Sequence, residues 1–196
     1  MIALTATLAL ASLLPAAQAS NTLITPFVCD TDTVDPVDVT ATWVSLPGRG
    51  LALRLFLNDT EPLFDDIPGG FLTFQKGPFS SISFAADGII NSAKVGPHVT
   101  GFYHLAGGGQ VFFDKPSGDG TVSGADSQGF RTVSFTSAQL GIPAGATIDV
   151  MTINIGGRSK NKSLPVIENI DHIFFNNKLV SPSLTPTQFT CPFPSN

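Results

Sequence analysis

The residues able to do chemistry in this chain of 196 residues are few and scattered. Asp30, Asp32 and Asp35 crowd together just after Cys29, and a second acidic pair, Asp65-Asp66, precedes Ile67-Pro68-Gly69-Gly70. The pair at 65–66 is equally consistent with a turn. Phe102-Tyr103-His104 places rings and hydrogen-bonding atoms together, and Arg131 adds a planar donor. Sugar recognition needs flat apolar rings beside polar groups, because pyranose faces are apolar and hydroxyls are not. We therefore expect a ligand to meet loops around Asp65, Asp66, Tyr103, His104 and Arg131, with Tyr103 as the exposed ring. Trp43, the single Trp, lies in an alternating stretch and reads as core, as do most of the 16 Phe. This shortage of Trp and Tyr counts against a flat cellulose-type binder, and less against a lectin-like pocket built from Asp, Asn, His and Arg.

Other chemistries find little support. Glycoside hydrolysis usually needs two carboxylates across the bond, and Glu61, Glu168 and the 13 Asp form no recognisable pair. No Gly-x-Ser-x-Gly elbow occurs, and with three His a Ser/His/Asp triad is poorly supplied. Gly107-Gly108-Gly109 lacks the Lys-Ser/Thr of a phosphate loop and reads as a hairpin turn. Thr121-Val122-Ser123-Gly124 reads as a turn as well. Two Cys and three dispersed His do not make a zinc site. A net charge of −5 and a pI near 4.9 exclude a general nucleic-acid binder, which needs a basic footprint, and leave no polybasic patch for anionic lipid.

The first residues point to export. Met1 to Ala19 carries no charged side chain, Ile2 to Leu14 is an apolar run, and Ala17-Gln18-Ala19 fits signal-peptidase cleavage. The run is too short for a bilayer core of about 30 Å. We expect residues 1–19 to be a signal peptide and 20–196 one secreted domain with no membrane insertion. In an oxidising compartment two cysteines allow one pairing, so a Cys29–Cys191 disulfide is expected, worth about 5 kcal/mol in the chain-entropy model. Asn58-Asp59-Thr60 and Asn161-Lys162-Ser163 are glycosylation acceptors for a eukaryotic export route.

Elements to position these groups follow from period-2 patterns. Val37, Val39, Ala41 and Trp43 alternate with polar residues, and Leu51, Leu53, Leu55 and Leu57 should face one buried side. Further runs at Phe71–Gln75, Phe79–Phe84, His98–Leu105, Gln110–Phe113, Phe130–Phe135, Thr147–Ile155 and Val166–Phe175 are bounded by turn residues. Asn176-Asn177 reads as a tight turn into a short strand at Lys178-Leu179-Val180. Helix is confined to one or two short turns, the best at Thr136–Leu140, stopped by Gly141 and Pro143. Low charge (13%) with 19 Gly and 15 Pro opposes long helices. The expected fold is an all-β antiparallel sandwich of the jelly-roll kind, with about 8–11 short strands.

The segments Gly129–Phe135, Leu140–Ile148 and Ile167–Phe175, the last reading Ile-Glu-Asn-Ile-Asp-His-Ile-Phe-Phe, resemble the C-terminal half of secreted jelly-roll modules of the galactose-binding-like, carbohydrate-binding type. The resemblance covers about 50 residues of that half. It implies a structural Ca²⁺ between the first and last strands, for which Asp30, Asp32, Asp35 and Asp171 are the candidate ligands; calcium takes six to eight oxygens. The alternative is ordinary solvated carboxylates. Together these readings give a secreted, non-catalytic β-sandwich that binds carbohydrate or another extracellular surface component. An extracellular polysaccharide lyase or hydrolase, or a structural or effector protein without a small ligand, are the alternatives.

Overall fold

A computed structural model describes residues 22–29, 39–58, 67–88, 96–155 and 165–184. Residues 1–19, Asp30, Asp32, Asp35, Asp65, Asp66, Asn161 and Cys191 lie outside the described residues. The first strands in chain order are β1 (Leu23–Cys29), β2 (Val39–Leu46), β3 (Gly50–Leu57), β4 (Ile67–Thr73), β5 (Ser81–Ala86), β6 (His98–His104) and β7 (Gln110–Pro116). After them come β8 (Thr121–Val122), β9 (Arg131–Thr136), β10 (Thr147–Asn154), β11 (Val166–Phe175), β12 (Lys178–Leu179) and β13 (Ser181–Pro182). Ten of these strands are long and three have two residues each. One short 3₁₀ turn, Ser117–Asp119, joins β7 to β8. Among the described residues no helix is long and apolar enough to cross a membrane.

The strands form two sheets. The first runs β13-β1-β4-β10-β6-β7 and the second β2-β3-β11-β5-β9-β8, with β12 paired to β11. Every ladder is antiparallel except β1–β13, which is parallel. The inward rows interlock into one core: Ile24, Leu72, Val99 and Met151 from the first sheet meet Leu53, Phe84, Val133 and Ile170 from the second. This is the all-β, antiparallel-rich sandwich expected from the alternating pattern.

Departures from the expected elements have local causes. Leu53, Leu55 and Leu57 are buried, but Leu51 is 47% exposed, so the expected row of four inward leucines holds for three. Leu51 lies next to the β2–β3 hairpin, where its partner is Ser45. Thr121 and Val122 form β8 against Ser134 and Val133 instead of a turn. β1, which contains Pro26, had no strand signature because proline cannot donate to a ladder. On its β13 side, however, β1 pairs only through Leu23 and Ile24, so the Pro26 nitrogen has no ladder partner to supply there.

The turn chemistry follows the expected patterns. Gly108 and Gly109 take positive φ (91° and 94°) in the β6–β7 hairpin. Asn176 and Asn177 do so at 50° and 62°, the geometry of a primed turn whose twist matches that of the flanking strands. The Thr136 backbone N–H donates to Gln139 Oε1 at 2.9 Å while Gln139 N–H donates to Thr136 Oγ1 at 3.3 Å, a reciprocal capping box around one isolated turn.

Candidate functional site

Alternation along β6 sorts the expected ligand residues. Val99, Gly101 and Tyr103 point inward; Phe102 and His104 point outward. Tyr103 is accordingly 7% exposed, and its hydroxyl donates to the Gly141 carbonyl at 3.3 Å. The expectation of an exposed Tyr103 ring is therefore corrected: neighbours in a strand face opposite sides, so Tyr103 and His104 cannot serve one ligand. Arg131 is exposed at the start of β9, in the other sheet, and is not brought to His104.

The outward side of the first sheet carries a different ring. Phe112 in β7 lies opposite Phe102, with ring centroids 5.2 Å apart and planes 55° apart. Phe112 is 46% exposed and Phe102 half-buried. Val150 continues this apolar row into β10, and the 39%-exposed Leu23 of β1 stands opposite the exposed Thr73 of β4. The adjoining pair is His104 and Gln110. Asp149, at the irregularity between Ile148 and Val150 in β10, gathers the polar groups. It receives His104 Nδ1, the Gln110 side-chain amide at 3.4 Å and Lys76 Nζ at 3.6 Å. From β1 to β7 the face spans five strands, roughly 20 Å at the usual strand spacing.

Farther along this face lies a polar row that is buried except at Asp114. The His98 imidazole Nδ1 and the Thr100 hydroxyl meet Asp114 Oδ1 at 2.8 and 3.0 Å, and the Asn154 amide donates to Thr100 and Thr152 Oγ1, each at 3.0 Å. Burial alone would raise the Asp114 pKa; the hydrogen bond and charge of His98, with Thr100 and Lys115, override it and leave the group below 3.8.

The outward side of the second sheet holds a charged cluster. Gly48 and Gly50, at φ 75° and 87°, turn the β2–β3 hairpin so that Arg49 reaches back over β11. Its Nε and Nη2 donate to Asp171, the latter at 2.9 Å, and its Nη1 donates to Asp126 at 2.5 Å and Gln128 at 3.3 Å. The guanidinium carbon stands 3.7 Å from the Phe130 ring centre, a cation–π contact. These partners raise the Arg49 pKa, chiefly through the Asp171 hydrogen bond. The Arg49 hydrogen bond in turn holds Asp126 below the usual carboxylate range.

Asp171, the one calcium candidate among the described residues, has a side chain 1% exposed, and both its oxygens accept from Arg49. Among the described residues no group of three His, Cys, Asp or Glu is placed to hold a metal ion. The next residue, His172, sits at φ 45° where the β11–β5 register shifts, and its Nδ1 meets Asp171 Oδ1 at 2.9 Å. A bulge of this kind re-aims a side chain. Ser123, beside it, donates to the Gly124 carbonyl at 2.8 Å and accepts from Thr132 N–H at 2.9 Å, so its hydroxyl is committed away from His172.

The two depressed carboxylates contribute to the acid response. A folded pKa below 3.8 gives stability that is complete above that value and is lost as pH falls through the folded value. Melting temperature is expected to drop below pH 4, and Asp114→Asn protein to lose less between pH 4 and pH 2 than wild type. Parallel acid profiles of the two proteins would contradict the His98–Asp114 pairing.

Elsewhere, Asn58 is exposed just beyond β3. Cys29 is buried at the end of β1, and no free cysteine occurs among the described residues. Comparison with protein-family models, with curated proteins and with solved structures finds no match to this chain.

Proposed function

We propose that this is a secreted, non-catalytic β-sandwich of the jelly-roll type that binds carbohydrate, or another extracellular surface component, on the outward face of its first sheet. The observation that carries the reading is the half-exposed Phe112 ring, seated against Phe102 in the row beside His104, Gln110 and Asp149. It offers an apolar surface for a sugar face and hydrogen-bonding atoms for its hydroxyls. A width of roughly 20 Å suits several linked rings better than a lone monosaccharide. The charge-free leader at Met1–Ala19 supports export. The burial of Cys29 supports a Cys29–Cys191 bond, and the exposure of Asn58 supports glycosylation there.

Binding of the mature protein to an array of immobilised glycans tests the proposal. At least one polysaccharide class is expected to be retained. Phe112→Ala is expected to weaken that binding about tenfold, or roughly 1.4 kcal/mol, and His104→Ala to weaken it less, with circular dichroism unchanged for both. An array with no retained glycan, or variants that bind as wild type, would overturn it.

A further inference from the structure

The charged cluster on the second sheet borders an open concavity of about 450 Å³, large enough for a monosaccharide-sized molecule. Phe174 and Ala85 line it beside Asp126, Thr132 and His172. We propose that this concavity is a binding site for a small organic cation carrying N–H donors, such as a primary ammonium group on a sugar-sized body. It lies on the opposite outward face from Phe112 and does not depend on the carbohydrate reading.

The argument is one of unspent valences. A carboxylate offers about four acceptor positions. Asp126 uses three, for the Gln128 and Phe130 N–H groups and for Arg49, and its side chain is 45% exposed. His172 Nδ1 is taken up by the Asp171 carboxylate at 2.9 Å, which leaves Nε2 as the ring nitrogen open to a ligand. That ring is 52% exposed. The charged group most open at the rim is therefore an acceptor, Asp126.

Charge points the same way. Arg49 supplies one positive charge against the two carboxylates Asp126 and Asp171, and among the described residues no other Lys or Arg lines the concavity. The guanidinium side chain is only 9% exposed and lies between its two carboxylates, so the charge at the rim is the negative charge of Asp126. A cationic donor gains there, and an anion is repelled. The half-buried Phe174 ring adds an apolar wall that suits a cation as well. The left-handed backbone of His172 is an uncommon conformation for a side chain of its size, held by the bulge that turns the imidazole outward.

Three probes of one ring size separate charge from shape: glucosamine, glucose and glucuronate. They are titrated into Phe112→Ala protein, which disables the other face, while the imidazole C–H resonances are followed by NMR. His172 is assigned by its absence in His172→Asn, a change the backbone tolerates because asparagine accepts positive φ. Glucosamine is expected to shift the His172 resonance with an affinity about tenfold above that of glucose, and glucuronate to leave it unmoved. Asp126→Asn is expected to bring the glucosamine-to-glucose ratio close to one, and His172→Asn to weaken glucosamine severalfold. Equal affinity for glucose and glucosamine, preference for glucuronate, or no shift with any probe would each overturn the proposal. So would an Asp126→Asn protein that folds and keeps the full preference.

Discussion

Replacing Arg49 with alanine is expected to cost about 4 kcal/mol of folding stability, the typical loss when one partner of a buried ion pair is removed. At a few degrees per kcal/mol for a chain of this size, the midpoint should fall by about 8–16 °C. The size follows from where the charges lie. Asp171 has a 1%-exposed side chain and receives two donors from Arg49, so alanine leaves its carboxylate buried with only the His172 imidazole at hand. Asp126, at the surface, can turn to water and adds little. The contact with Phe130 is lost as well. Lysine should recover only part of the loss, because a point charge cannot make the forked pairing. The discriminating measurement is a double-mutant cycle. Asp171→Asn in the Arg49→Ala background should restore stability relative to Arg49→Ala alone, since the stranded charge is gone. A single mutant within 1 kcal/mol of wild type, or strictly additive effects, would refute this account of the cluster.

The second large effect is expected at Gly101. Glycine to alanine within a strand usually helps, because the unfolded chain loses freedom. Here space reverses the sign. A Cβ on Gly101 would press into the Val150 carbonyl oxygen and stand 2.9 Å from the Phe113 ring. The carbonyl belongs to β10, which is held by ladders to β4 and β6 on its two sides, so it cannot swing away cheaply. Gly101→Ala should therefore cost about 3 kcal/mol, at the upper end of ordinary overpacking. Gly107, in the neighbouring hairpin, has open space where its Cβ would point and serves as the control. Gly107→Ala should stay within about 0.5 kcal/mol of wild type. Urea unfolding of both variants checks the pair, and a neutral Gly101→Ala would show that β10 yields at its irregularity.

These two sites also show what could be read from the residues in order. Period-2 alternation is a local property, and it located the long strands and the turn glycines and asparagines well. It failed where a strand outruns the core, as at Leu51, and where proline hides a strand whose second neighbour is short, as in β1. For the proposed ligand face, His104 was legible, but pairing it with Tyr103 ignored that successive side chains diverge. Phe112 was missed because a phenylalanine carries no polar atom to mark it as surface. The Arg49–Asp171 pair joins residues 122 apart in sequence, and no local pattern links a hairpin arginine to a strand aspartate that distant. The bulge at His172 left no trace either, since histidine gives no warning of positive φ as glycine would. The Asp126 loop could be suspected from Asp126-Ser127-Gln128-Gly129 as a turn, but not as a partner for Arg49.

The position of β10 and β11 in the sheets bears on when the chain can fold. β10 lies between β4 and β6, and β11 between β3 and β5. Both central strands come late in the sequence. During synthesis, β3 and β4 therefore emerge with one native neighbour still absent and β5 and β6 with both, and each presents an open hydrogen-bonding edge. Neither half of the sandwich can close early, and closure waits until Phe175 has been made. Long-range strand pairing of this kind is slow and exposes the nascent chain to aggregation. The order of strands thus makes the protein dependent on protection during synthesis, and assembly becomes a late, all-or-none event in which the last third of the chain completes both sheets.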